Sequence, residues 1–186
     1  ERYRPLPMVS IGLVLDGIPG VVLDSYQGMR NALIHLIEVH GRRRLAFIRG
    51  PEGHCDAEER YRGYIDVLKE YGLPSVPDLV SPHYKWIEPG GRAAMCLLLD
   101  QRQVHFDAVA AVNDTSAIDA MEALQARGIR VPEDVSVVGF NDAPRNKLVT
   151  PPLTTTPWRM YERGRQAAQL LLAMLAGEPV PDQVLL

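Results

Sequence analysis

The residues best equipped for chemistry in this sequence stand where apolar runs stop. Ala108–Val112 breaks off at Asn113-Asp114-Thr115-Ser116, which places an amide, a carboxylate and two hydroxyls ahead of a helical pattern. Such groups either cap the unpaired N–H groups of the next helix or face a ligand. The same punctuation recurs at Asp16, at Asp24, at His54-Cys55-Asp56, from His83 to Trp86 and at Asn141-Asp142. Asp114, Ser116 and His54 could be drawn as a nucleophilic triad, but nothing in their spacing sets the geometry that a triad needs. No Gly-x-Gly-x-x-Gly, no Gly-x-x-x-x-Gly-Lys and no Gly-x-Ser-x-Gly turn is present, so the expectation is a protein that binds rather than an enzyme. Cys55 and Cys96 form no Cys-x-x-Cys and join no cluster at zinc spacing. No disulfide framework, metal site or cofactor is therefore expected, and a reducing compartment fits.

The totals narrow the class further. The chain has 186 residues, of which 46% are hydrophobic and 23% charged, enough for a folded core of one domain or two small lobes. A net charge of -3 leaves no electrostatic footprint for wrapping nucleic acid. The longest basic run, Arg42-Arg43-Arg44, reads as a solvated helix end. No segment approaches the roughly 18 apolar residues of a bilayer span. No signal peptide opens the chain, so a cytoplasmic protein without membrane contact is expected, with a true N-terminus upstream of Glu1.

Positioning those polar residues requires alternating strands and helices, and the pattern supplies them. Pro7–Leu15, Arg44–Gly50, Ala108–Val112 and Asp134–Phe140 read as strands, with a weaker one at Asp78–Pro82. Helical spacing follows in the stretch after Asp24, in Asp56–Gly72, after the Pro89-Gly90 turn, after Asn113 and from about Arg159 to Ala176. Prolines at 151, 152 and 157 keep the preceding connector extended. Unbroken apolar strands are buried on both faces, which is the mark of a parallel sheet covered by helices on each side. The fold class is thus α/β, a doubly wound parallel sheet with more than one lobe. In such sheets ligands sit beyond the carboxyl ends of the strands, where most of these polar residues cluster.

Four stretches carry a family resemblance: "VVLDSYQGMRNALIHLIEVHGRRRLAFIRGP", "AEERYRGYIDVLKEYGL", "DAVAAVNDTSAIDAMEALQARGIRVPEDVSVVGFND" and "PPLTTTPWRMYERGRQAAQLLLAMLAGE". In this order and spacing the chain resembles the effector-binding domain of LacI/GalR-type bacterial transcription regulators, which is periplasmic-binding-protein-like. The resemblance implies two lobes with a sugar-like small molecule between them, and a first lobe that is incomplete here. Residues 1–43 and 158–177 are assigned to that first lobe, and 44–157 and 178–186 to the second. It also implies a homodimer, and operator DNA reached only through an N-terminal domain that these residues lack. A different output, such as a kinase or a cyclic-dinucleotide synthase, or a free solute-binding protein, would use the same sensor fold.

The resemblance also places ligand-binding residues. Arg60 matches an arginine that reaches the ligand, although its local sequence equally allows a helical pair with Asp56 or Glu59. Asn113 matches the strand-end asparagine, with Asp114, Thr115 and Ser116 left to start the helix. Asn141 stands where the family usually has an aspartate, so a charged hydroxyl clamp is replaced by a neutral amide. Asp142 could compensate. Trp86 falls where an aromatic covers the ligand ring, or packs as a loop aromatic. Asp24 is either a cleft residue or part of the next helix start. His54 is the weakest member, and a loop contact serves it as well.

Overall fold

The computed structural model describes residues 6–86 and 90–186. In chain order it contains β1 (Ser10–Ile11), β2 (Gly20–Val22), α1 (Ser25–Glu38), β3 (Leu45–Ile48), α2 (Cys55–Glu70), α3 (Gly90–Met95), β4 (Ala108–Ala111), α4 (Asp114–Gln125), β5 (Ser136–Asn141), β6 (Thr154–Pro157), α5 (Met160–Leu175) and β7 (Gln183–Leu185). These elements form two compact units. One holds the residues up to Asp24 together with Trp158–Leu186, the other Ser25–Pro157.

The larger unit is built on a fully parallel sheet of order β3-β4-β5-β6. Every residue of β3 and β4 is buried, as expected of strands sandwiched between helical layers. Because side chains alternate across a strand, Ala46, Ile48, Val109, Ala111 and Val137 share one core with Leu98, Ile118, Met121 and Leu124 from the α3 and α4 side. Phe47 points the other way, 4.9 Å ring to ring from Tyr64 of α2. The Tyr64 hydroxyl donates to the Leu45 carbonyl at 2.9 Å, and burial raises the pKa of its phenol well above the ordinary tyrosine value. Each of these large side chains contributes about 1.5–3 kcal/mol through burial alone.

Helix α1 belongs to this unit, which corrects the assignment of residues 25–43 to the first lobe. Its apolar face, Met29, Leu33, Leu36 and Ile37, is buried, and it packs along α2. Tyr26 donates to Asp66 at 2.9 Å, Arg30 pairs with Glu70 at 2.6 Å, and a Cβ on Gly63 would stand 2.9 Å from the Tyr26 carbonyl oxygen. Two helices this close need a small residue at the contact, and Gly63 supplies it.

In the smaller unit the parallel sheet β1-β2-β7 pairs Gly20 with Gln183, Val21 with Val184 and Val22 with Leu185. Residues 178–186, expected in the second lobe, therefore lie here, because β7 finds its hydrogen-bonding partner in β2. The small core gathers Val21, Ala167 and Leu170 with Val9, Val180 and Val184. Strand β1 is shorter than the Pro7–Leu15 run suggested, since Gly12 turns the chain at φ +87°. The buried Arg163 guanidinium lies only 2.5 Å from where a Cβ on Gly12 would stand.

Two other expectations shift. Asp78–Pro82 forms a short 3-10 turn at Pro77–Leu79, followed by a single bridge from Val80 to Phe47. Helix α3 passes into a π-helical turn at Cys96–Gln101, while the residues 87–89 of its expected Pro-Gly start lie outside the described residues. Among the described residues, no helix is long and apolar enough to cross a membrane.

Candidate functional site

At the carboxyl ends of β3, β4 and β5 the larger unit brings most of the expected residues together. Arg60, in the second turn of α2, is 2% exposed. Its Nη1 donates to the Val112 carbonyl oxygen at 2.7 Å, just past the end of β4. Nε and Nη2 reach Ser25 Oγ at 3.4 and 3.3 Å, and that hydroxyl donates in turn to Asp56 Oδ1 at 3.2 Å. Glu59, the other local acid, pairs with Arg62. The Arg60 guanidinium thus points inward to the sheet edge, not along a solvated helix face, and lies 3.7 Å from the Phe140 ring centroid. A cation over an aromatic face is held by the ring quadrupole as well as by hydrogen bonds.

Trp86 also approaches this arginine, its ring 5.8 Å from the Arg60 guanidinium carbon. The indole comes close to the sheet because residue 50 is glycine. A Cβ there would meet Val112 at 2.9 Å, Ala57 at 3.0 Å and Trp86 at 3.4 Å. His83 holds the same turn, with its Nδ1 3.0 Å from the Gly50 carbonyl oxygen. His54 is exposed and meets the Trp86 ring edge to face at 4.9 Å between centroids. Arg49, at the end of β3, has its charge met by Glu58 at 2.7 Å.

The capping role expected of Asp114 falls to Asn113. Asn113 is itself the N-cap of α4, its Oδ1 accepting from Ser116 N at 2.8 Å, while its Nδ2 lies 3.4 Å from the Trp86 carbonyl oxygen. An asparagine caps with its oxygen and keeps amide hydrogens for another partner, so capping does not consume the side chain. Asp114 starts the helix but caps nothing. Its buried carboxylate accepts from Ala143 N at 2.8 Å, Asn146 Nδ2 at 2.7 Å and Thr155 Oγ1 at 2.5 Å. It therefore anchors the turn that follows β5 and the neighbouring strand β6.

That turn carries Asn141 and Asp142, whose backbones sit at φ +125° and +54°. Non-glycine residues in this region store strain of about 1–3 kcal/mol, and Asn and Asp tolerate it best. Asn141 pairs in register with Pro157 and directly follows Phe140, the platform under Arg60. Asp142 is exposed, and its N–H donates to Thr155 Oγ1 at 3.2 Å.

Arg60, Trp86, Asn113 and His54 are thus linked by direct contacts, and Asn141 stands one residue beyond Phe140, which lies under Arg60. Asp24 belongs to the smaller unit, where its N–H donates to the Leu186 carbonyl oxygen at 2.8 Å. Three participants escaped the sequence reading. Phe140 looked like any other buried strand residue. Ser25 is a serine acceptor distant in sequence from Arg60, and the Val112 carbonyl is a backbone group with no side-chain signature at all. Among the described residues, no group of three or more His, Cys, Asp or Glu converges.

Comparison with known proteins bears on this geometry. Residues 34–186 match the family model described as a periplasmic binding protein-like domain. The transcriptional regulator GalR of Escherichia coli K12 is 36% identical over 177 residues, covering 94% of this chain and 51% of the regulator. A LacI-family regulatory protein from Chloroflexus aggregans superposes with a TM-score of 0.90 at 31% identity, covering 100% of this chain and 66% of that one. The transcriptional regulator CelR in complex with cellobiose superposes with a TM-score of 0.83 at 36% identity, over 96% of this chain and 55% of CelR. The chain spans about half the length of the curated relatives it matches.

Proposed function

We propose, since the chain belongs to the periplasmic-binding-protein-like family of LacI/GalR-type regulator domains, that it is the ligand-sensing part of a transcription regulator responding to a sugar or related polar metabolite. The observation that carries this reading is the cluster at the carboxyl edge of the parallel sheet. A buried guanidinium, two aromatic rings and the Asn113 amide come together there, with Asn141 at the neighbouring strand end, and such a set can donate and accept hydrogen bonds beside an aromatic surface. Polyhydroxyl ligands need that mixture, because every hydroxyl both donates and accepts while the ring faces are apolar.

In this reading Arg60, Asn113 and Asn141 address hydroxyls, Trp86 covers a ring face and His54 supports the indole. Asn141 brings no charge where relatives of this type usually carry an aspartate, so the ligand is gripped by neutral amides and the single guanidinium. The assignment of Asp24 to the ligand rests on the resemblance alone. The ligand acts by favouring one of two conformations, and its differential affinity for them sets how far the output shifts. Control of operator DNA belongs to parts of the protein outside these residues, and pairing into a homodimer, in a cytoplasmic setting, completes the proposal.

The test is a thermal-shift screen of this chain against galactose, ribose, cellobiose, their phosphates and nucleosides. A ligand that binds the folded state alone stabilises it by about 2.7 kcal/mol at a hundred times its Kd, which raises Tm measurably. A positive sugar supports the sensor reading. A flat response across the panel, with calorimetry silent at millimolar concentrations, would overturn it.

A further inference from the structure

At the other end of the larger unit, the last turn of α1 and the chain just beyond it bring two histidines together. His35 Nε2 and His40 Nε2 lie 3.1 Å apart, with ring centroids 4.8 Å apart and ring planes at 83°. Both rings line a crevice of about 130 Å³ whose walls include Leu36, Met121, Val137 and Ser136. From this geometry we propose that His35 and His40 form a bidentate site for a borderline divalent cation of the Zn2+, Ni2+ or Cu2+ class, its remaining positions filled by water.

Two distances support a shared cation. With M–N bonds of about 2.05 Å, a 3.1 Å separation of the nitrogens sets an N–M–N angle of about 98°, between octahedral and tetrahedral values. If the same ion lies on the lone-pair axis of each ring, about 1.15 Å further from each centroid, the centroids must stand about 4.8 Å apart. That is the observed separation. A straight N–H···N hydrogen bond at 3.1 Å would hold the centroids roughly 5.4 Å apart by the same ring dimensions, so the rings are bent away from that line by the amount a shared ion calls for. Imidazole nitrogen selects this class of metal over hard cations such as Mg2+ or Ca2+.

The surroundings allow the site without adding to it. His35 is half-exposed and His40 exposed, so water and ion have access. Arg42, two residues beyond His40, is turned onto Ser136 Oγ at 3.0 Å and the Pro132 carbonyl oxygen at 2.6 Å. Glu38 accepts from the Tyr71 hydroxyl, and no third protein ligand joins the pair among the described residues. With two protein ligands the site binds less tightly than a three- or four-ligand centre, and it pins residue 40 to the end of α1.

The test titrates this chain with Zn2+ alone at pH 7.5 by calorimetry, alongside His35→Ala, His40→Ala and, as a histidine outside the pair, His105→Ala. The expected result is one saturable site that both His35→Ala and His40→Ala abolish and His105→Ala retains. Thermal melts of each variant without metal establish that it folds. On wild-type protein, nitrogen NMR of the imidazoles provides a readout free of mutation, in which the His35 and His40 signals shift together on adding Zn2+. No saturable binding, a site that survives either substitution, or shifts confined to other histidines would each overturn the proposal.

Discussion

Arg60→Ala tests the site and the scaffold at once, because the structure gives this side chain two jobs. Truncation removes a charge-assisted hydrogen bond to the Val112 carbonyl, worth about 1.5–3 kcal/mol, and leaves that oxygen unpaired beside a buried cavity. It also removes the guanidinium from the Phe140 face, worth about 0.5–2 kcal/mol. The larger unit should therefore lose roughly 2–5 kcal/mol by urea unfolding, the sum of those two terms. Arg60→Lys separates the roles. It keeps a cation near Phe140 but loses the planar fork that spans Val112 and Ser25, so it should retain much of the stability. For whichever sugar the screen selects, both variants should weaken binding by more than about tenfold, or 1.4 kcal/mol, measured by calorimetry at a temperature where each is folded. A folded Arg60→Lys protein that binds the sugar as tightly as wild type would refute the ligand role. An Arg60→Ala protein as stable as wild type would refute the structural one.

Other expectations follow from single contacts. Asp114→Ala should destabilise the larger unit by about 2–4 kcal/mol in urea, because it strands the part-buried Ala143 N–H and the buried Asn146 amide; Asp114→Asn, which keeps one acceptor oxygen, should lose less. Trp86→Ala should weaken sugar binding about five- to tenfold and remove any ligand-induced change in tryptophan fluorescence, whereas Trp86→Phe should restore most of the affinity. The Arg130 guanidinium and N–H beside Asp134 lower its carboxyl pKa to about 2. A depressed folded pKa contributes stability above the unfolded value near 3.9 and loses it as pH falls toward 2. Asp134→Asn should accordingly lower Tm modestly at pH 7, and the gap to wild type should close between about pH 4 and pH 2.

The layered architecture and much of the site's address are written in the residue pattern. Runs such as Leu45–Ile48 and Ala108–Ala111 have no polar position to turn toward water, so they must lie inside a parallel sheet with helices on both faces. Polar residues that end those runs then gather at one edge, and His54, Trp86, Asn113 and Asn141 stood among them, whereas Arg60, in mid-helix, was placed there by the family resemblance alone. Periodicity, however, states that a helix has an apolar face without stating which surface covers it. Only packing decided that α1 lies along α2 and that β7 pairs with β2, which moved residues 25–43 and 178–186 to the opposite units. Long-range hydrogen bonds leave even less trace in sequence. The Val112 carbonyl, Ser25 and the Phe140 ring hold Arg60 from positions 52, 35 and 80 residues away. The division of labour between Asn113 and Asp114 likewise depended on the turn that brings Ala143 and Asn146 within reach of a carboxylate. A side chain's type limits which bonds it can make, and the tertiary fold selects among them by bringing distant partners within 3 Å.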